Sequence, residues 1–234
     1  MQFAGSTGLF IVIIVTIKER KMIVGKRMSS PIITVPPSMP LNDAVTLMKK
    51  EKIRHMVVVE KNKMVGLVTQ NDLENALHSK ATTLSVWELN YLIDRIKVSD
   101  VMVKDVITAP EDMPVEEAAR LMADNKISSL PVLRGEEVVG IITETDLFRL
   151  FLELLGAREY GVRVSALLRN EPGAIAKLTQ AIYEAGGDII AIGTFTGDSL
   201  GSLEITAKVR GVEEQTLRTI VEPVVLKLLN IYTG

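Results

Sequence analysis

Gly66-Leu67-Val68-Thr69-Gln70-Asn71-Asp72-Leu73 and Gly140-Ile141-Ile142-Thr143-Glu144-Thr145-Asp146-Leu147 spell one pattern twice: glycine, two aliphatics, threonine, two variable positions, aspartate, leucine. An aliphatic run that ends in Thr-x-x-Asp reads as a strand giving way to a capped helix. Working outward, a displacement of 74 positions aligns Met28–Leu73 with Met102–Leu147 without a gap. Thr34 falls on Thr108, Pro36 on Pro110, Met39-Pro40 on Met113-Pro114 and Ala44 on Ala118. Leu47-Met48 meets Leu121-Met122, Lys52-Ile53 meets Lys126-Ile127, and Val65-Gly66 meets Val139-Gly140. Matches spread over a whole unit in one register mark a duplication.

Each copy follows the same grammar. A short extended piece (Ile32–Val35, Val106–Ala109) leads into a proline turn. Asn42 or Glu116 then opens an amphipathic helix, with Ala44, Leu47, Met48 and Ala118, Leu121, Met122 at i, i+3, i+4. Two apolar runs follow in each copy, His55–Val59 with Met64–Val68 and Leu130–Leu133 with Val138–Ile142, joined by short polar connections that read as hairpins. A second helix starts at Thr69 or Thr143. One such unit leaves its sheet exposed; two can bury those faces against each other.

Thr-x-x-Asp supports two readings. As a cap, the hydroxyl satisfies an orphan amide and the carboxylate complements the helix dipole. As a site, the amides and hydroxyl suit a phosphate, and a carboxylate one turn on accepts hydrogen bonds from both ribose hydroxyls.

The duplicated Gly-h-h-Thr-x-x-Asp unit, where h is aliphatic, resembles a pair of CBS domains, a Bateman module, over about residues 22–152. The resemblance implies a regulatory module with an adenosine nucleotide (AMP, ADP or ATP) or S-adenosylmethionine in clefts between the units. It assigns Asp72 and Asp146 to ribose and Thr69 and Thr143 to phosphate, and adds Thr34, Thr108, Arg54, His55, Ser128 and Ser129. Arg54-His55-Met56-Val57 faces Ser128-Ser129-Leu130-Pro131 in the alignment, so the clefts are expected to differ in affinity, anionic ligands favouring whichever one Arg54 and His55 face. Arg54 otherwise reads as a solvated strand edge.

After Tyr160 the pattern changes. Val162–Leu168 alternates as a half-buried strand, Asn170-Glu171-Pro172-Gly173 is a turn, and Ala174–Ala185 has helical periodicity through Ile175, Leu178 and Ile182. Asp188–Phe195 and Ser202–Val209 read as strands, Val212–Val221 as a helix and Val224–Ile231 as a last strand, a ferredoxin-like βαββαβ order with two helices on one face of the sheet. With Asn170-x-Pro172-Gly173 between strand and helix, this part resembles an ACT domain. That implies an effector site for an amino acid at Asn170, Glu171, Pro172 and Gly173, or a role in dimerisation alone. The bare alternative is that Pro172-Gly173 turns the chain into the helix.

Ser85–Ile93 between the copies carries the lone Trp87 at helical spacing, with a Ser85/Glu88 capping box, and reads as an interface helix rather than an aromatic ligand platform. Leu9–Ile17 is apolar but less than half the roughly 20 residues a membrane span needs. It reads either as a strand or as part of an extension upstream of a start at Met22. The expected organisation is an α+β chain: 1–21 extension, 22–80 and 81–155 CBS domains, 156–234 ACT domain. That order, with the Trp87 connector, is similar to the acetoin-utilisation proteins of the AcuB type.

Composition narrows the function classes. Hydrophobic residues make up 47% of the 234 positions and charged residues 24%, enough apolar surface for a packed core. Against 29 Asp+Glu, 27 Lys+Arg leave no basic surplus, which argues against nucleic acid as primary partner. The absence of Cys excludes thiolate metal sites, and His55 and His78, 23 positions apart, lack the i, i+4 spacing of a helical metal pair, so a histidine-based centre would need carboxylates for most of its ligands. The expectation is a cytoplasmic, non-catalytic, homodimeric ligand sensor without metal or membrane span. The rivals are an enzyme acting on a bound nucleotide, against which stands the lack of a P-loop or nucleophile elbow, and a regulatory subunit of a metabolic enzyme with no bound nucleotide.

Overall fold

The fold begins from two strand–helix–hairpin–helix units that obey the same local chemistry. The computed structural model describes residues 22–78, 95–196 and 201–234; Leu9–Ile17 and the Ser85–Ile93 connector lie outside them. In the first unit, β1 (Thr34–Val35) precedes α1 (Leu41–Glu51), β2 (His55–Glu60), β3 (Lys63–Thr69) and α2 (Gln70–His78). In the second, β4 (Ala109–Pro110), α3 (Val115–Asn125), β5 (Ser129–Arg134), β6 (Glu137–Thr143) and α4 (Glu144–Leu154) repeat the order. Each sheet has three strands, the first parallel to the middle one and the last antiparallel to it.

Small devices recur at matched positions. Helices α1 and α3 begin one residue earlier than expected, directly after Pro40 and Pro114. Both end on a lysine in the left-handed region, Lys52 at φ 53° and Lys126 at φ 54°, whose amides close the last turn. The first hairpin turns on Lys61 and Asn62, both with positive φ, and the second uses Gly135 at φ 64°. Val57 pairs with Leu67 where Pro131 pairs with Ile141, in the same register, so exchanging Pro for Val leaves the strand path unchanged.

The segments ahead of each unit are exchanged. Val24 is fully buried in the core of the second unit, with Ala118, Leu130 and Ile142, while Ile96 and Val98 lie in the core of the first, with Met48, Met56 and Val68. Ser29 bridges to Ile141, and Val103 bridges to Leu67. This close approach explains the motif's glycines. A Cβ at Gly66 would meet Met102 Sδ at 2.7 Å and the Val103 carbonyl at 2.8 Å; one at Gly140 would meet the Met28 side chain and, at 2.9 Å, the Ser29 carbonyl. Between the units, Val57, Leu67 and Ile141 form a separate buried cluster.

The carboxy-terminal part runs β7 (Val162–Arg169), α5 (Ala174–Glu184), β8 (Asp188–Thr196), β9 (Ser202–Arg210), α6 (Glu214–Val221) and β10 (Lys227–Thr233), with spatial order β10-β7-β9-β8. Val162, Val164, Ala166 and Leu168 alternate inward from β7 onto Leu178, Ile182, Leu217 and Val221. Three expectations need correction. Ile175 is 38% exposed, and Ala174 takes its place in the core. Helix α6 starts at Glu214, not Val212, and β10 starts at Lys227, not Val224, because Glu222–Val224 form a 3-10 turn around Pro223, which has no N–H for a ladder. Helix α5 stops where expected, at Gly186 with φ 80°. The face of this sheet away from α5 and α6 is partly covered: Gly156, just past α4, packs against Ala191 and Lys208, and Thr206 and Lys208 are buried there.

Candidate functional site

The repeated Thr and Asp form complete caps. Thr69 donates through its amide (2.8 Å) and its hydroxyl (2.7 Å) to Asp72 Oδ2. Thr143 does the same to Asp146 Oδ2, at 3.0 and 2.8 Å. Each threonine therefore orients its aspartate with its own hydroxyl proton, and the cap uses one carboxylate oxygen, Oδ2. On Asp146 the other oxygen, Oδ1, accepts from Arg149 Nη1 at 3.2 Å. Asp146 is 8% exposed, whereas the Arg149 side chain is 64% exposed, so a buried carboxylate lies beneath a solvated guanidinium.

Strands β2 and β5 deliver the residues between the units. Arg54, just before β2, donates from Nη2 to Thr145 Oγ1 of the second unit at 3.0 Å. His55 Nε2 lies 3.0 Å from Ser128 Oγ. Burial pushes the His55 pKa below 6.5, the Arg54 charge lowers it further, and Asp72 opposes both.

Two cavities meet here. One, of about 200 Å³, is lined by Lys52, Arg54, His55, Thr143, Asp146 and Arg149, with Ser29, Ile53, Ile141 and Thr145. The other, of about 110 Å³, is lined by Arg54, His55, Thr69 and Ser128, with Gln70, Asn71, Glu144 and Thr145. They share Arg54, His55 and Thr145, and only jointly approach the roughly 300 Å³ at which small-molecule pockets begin.

Of the residues expected from sequence, Arg54, His55, Thr69, Ser128, Thr143 and Asp146 are thus brought together. Asp72 is held by its cap but lines neither cavity, and Ser129 is buried in β5 opposite Thr143. Thr34 and Thr108 line neither; Thr34 lies exposed on β1. Sequence reasoning missed Lys52, Thr145 and Arg149. Arg149 follows Asp146 by three positions, one helical turn on, and that spacing was the available signal.

Asn170, Glu171, Pro172 and Gly173 are all exposed. Gly173 caps α5 with φ 86°, so the turn has a structural purpose of its own. Glu171 also pairs with Lys177 at 3.6 Å and, with Arg169, borders a cavity of about 310 Å³. Among the described residues no group of three or more His, Asp or Glu side chains is gathered as metal ligands would be, and no helix is long and apolar enough to cross a membrane.

The CBS domain family model matches residues 23–79 and 98–153. Inosine-5′-monophosphate dehydrogenase of Thermoplasma acidophilum is 31% identical over 180 residues, 76% of this chain and 33% of that protein. The chain spans about a third of the length of the inosine-5′-monophosphate dehydrogenases it matches. Among solved structures, the CBS domain pair of protein MJ0100, in complex with 5′-methylthioadenosine and S-adenosyl-L-methionine, is 30% identical, covering 58% of this chain and 98% of that one with a TM-score of 0.48. A putative acetoin utilization protein (AcuB) from Vibrio cholerae is 31% identical, covering 59% and 96%, with a TM-score of 0.49.

Proposed function

Because residues 23–79 and 98–153 are a pair of CBS domains, we propose that this protein is a non-catalytic regulatory sensor, binding an adenosine nucleotide or related adenosyl compound between its two units. The carrying observation is the pair of joined cavities, lined by Arg54 and His55 of the first unit and by Ser128, Thr143 and Asp146 of the second. A buried carboxylate held by its own threonine suits vicinal ribose hydroxyls, and the surrounding cations and helix N-termini suit phosphate. Asp72 with Thr69 is assigned the equivalent work in the first unit, with Thr34, Thr108 and Ser129 at the margins. Ligand that favours one relative orientation of the units shifts the population toward it, and this is the regulatory act.

Residues 156–234 are read as a ferredoxin-like ACT domain serving dimerisation or amino-acid sensing, with Glu171 the group of the 170–173 turn that borders a cavity. Exposed apolar residues support a homodimer: Phe148 and Phe151 on α4, Phe195 on β8 and Tyr232 on β10 are each between 46% and 67% exposed. The same surfaces would serve the second reading, a regulatory or scaffold subunit of a metabolic enzyme with no bound nucleotide.

The test is calorimetric titration of the full chain with AMP, ADP, ATP, S-adenosylmethionine and 5′-methylthioadenosine, repeated on Asp72→Ala and Asp146→Ala. Saturable binding weakened by Asp146→Ala is expected. Binding unchanged in both variants, or absent for every compound, would reject the nucleotide-sensor reading, and the latter with a co-purifying enzyme would favour the subunit reading.

A further inference from the structure

The duplication makes each unit a control for the other, and the charge around the two aspartates differs. The cavity at Asp146 is lined by three cations, Lys52, Arg54 and Arg149, and by His55. A displacement of 74 positions matches these four to Lys126, Ser128, Asn75 and Ser129, so the matched set of the first unit holds one cation where the Asp146 set holds three. The backbone frame is the same in both, since His55 pairs with Thr69 where Ser129 pairs with Thr143. The difference therefore lies in side chains, not in fold.

Resting on the nucleotide-sensor reading, we infer that the Asp146 cleft selects adenosine ligands carrying 5′-phosphates, with Arg149 as its specificity-determining residue. The Asp72 side does not make that selection. Arg149 donates to Asp146 Oδ1, the oxygen that the cap does not use, from an exposed position at the rim. A ribose needs that oxygen. A phosphorylated ligand offers Arg149 a stronger anionic partner as its ribose takes the carboxylate, so the exchange replaces one charge-assisted bond by another. An unphosphorylated adenosyl ligand must displace Arg149 without giving it a partner. Arg54 completes the anion site from the first unit, held across the interface by Thr145. Glu144, beside Arg54 in the neighbouring cavity, is the nearby carboxylate that disfavours phosphate there and leaves the Asp146 side as the anion's place.

Titration of ADP and of adenosine into the full chain, Arg149→Asn and Asn75→Arg tests this. Each variant gives one unit the residue that the other carries, and both positions are exposed on helices, so folding can be verified by thermal melting. The Arg149→Asn change is expected to weaken ADP by about tenfold while leaving adenosine unchanged or tighter. Asn75→Arg is expected to create phosphate preference at the first unit. Equal affinity for ADP and adenosine in the unaltered protein, or equal loss of both in Arg149→Asn, would overturn the inference with the sensor reading intact. Failure of both ligands to bind any of the three proteins would overturn the inference, and the sensor reading falls with it only if AMP, ATP, S-adenosylmethionine and 5′-methylthioadenosine also fail to bind.

Discussion

His55 links the site to pH. Burial between the units, and then the Arg54 charge, disfavour its protonation, so its folded pKa lies below the ordinary 6.5. The unfolded chain therefore binds more protons in the window between the two values. Stability is fully present above 6.5 and falls as pH drops through the folded value. Chemical-denaturation midpoints across about pH 5 to 8 are expected to show this slope, and His55→Gln to flatten it. An unchanged slope in the variant would place the proton elsewhere. Gly140 makes a second prediction at this scale. Because a Cβ there meets the Ser29 carbonyl at 2.9 Å, backbone rather than a flexible side-chain tip, Gly140→Ala is expected to cost about 1–3 kcal/mol, read from the denaturant midpoint.

Among elements, the exchanged segments carry the less obvious lesson. The short 3-10 helix Val24–Lys26 precedes the first unit in sequence yet packs in the second, with Val24 fully buried beside Leu130 and Ile142. Val24→Ala is expected to destabilise by about 1–3 kcal/mol. Hydrogen exchange should report faster opening in β5 and β6, remote in sequence, before β2 and β3. The opposite order would show that the segment's contact is not what holds the second unit. Helix periodicity and hairpin turns were legible in sequence, and the starts of α1 and α3 to within one residue, because each is decided by residues within one turn or one strand pair. Ile175 and the start of β10 were not: the first depends on which side of α5 the sheet lies, the second on where Pro223 is accommodated.

For the molecule as a whole, the cores are separate. Among the described residues, Val162 to Ile231 pack in one cluster, while the two duplicated units hold three others. Removing residues after Arg158 is therefore expected to leave the CBS pair folded and still able to bind ADP, with a single cooperative melt. Loss of the melt would mean that the contact of Gly156 with Ala191 and Lys208 is essential to the pair. The truncated pair also separates the two candidate dimer surfaces, since Phe148 and Phe151 remain and Phe195 and Tyr232 go. A sedimentation measurement showing a monomer would assign dimerisation to the carboxy-terminal sheet.

The duplication, the strand and helix order of each copy and the pairing of Thr with Asp were decided by the sequence itself, since they rest on local periodicity and on a repeat visible at one displacement. What only the tertiary structure decided is which residues share a cleft. Arg54 reaches Thr145, His55 reaches Ser128, and Arg149 sits on Asp146, although the first two pairs are 91 and 73 positions apart. Such contacts follow from how two buried sheet faces pack and from the exchange of their leading segments. No pattern along the chain encodes that geometry, and it is what gathers Lys52, Arg54 and Arg149 at Asp146.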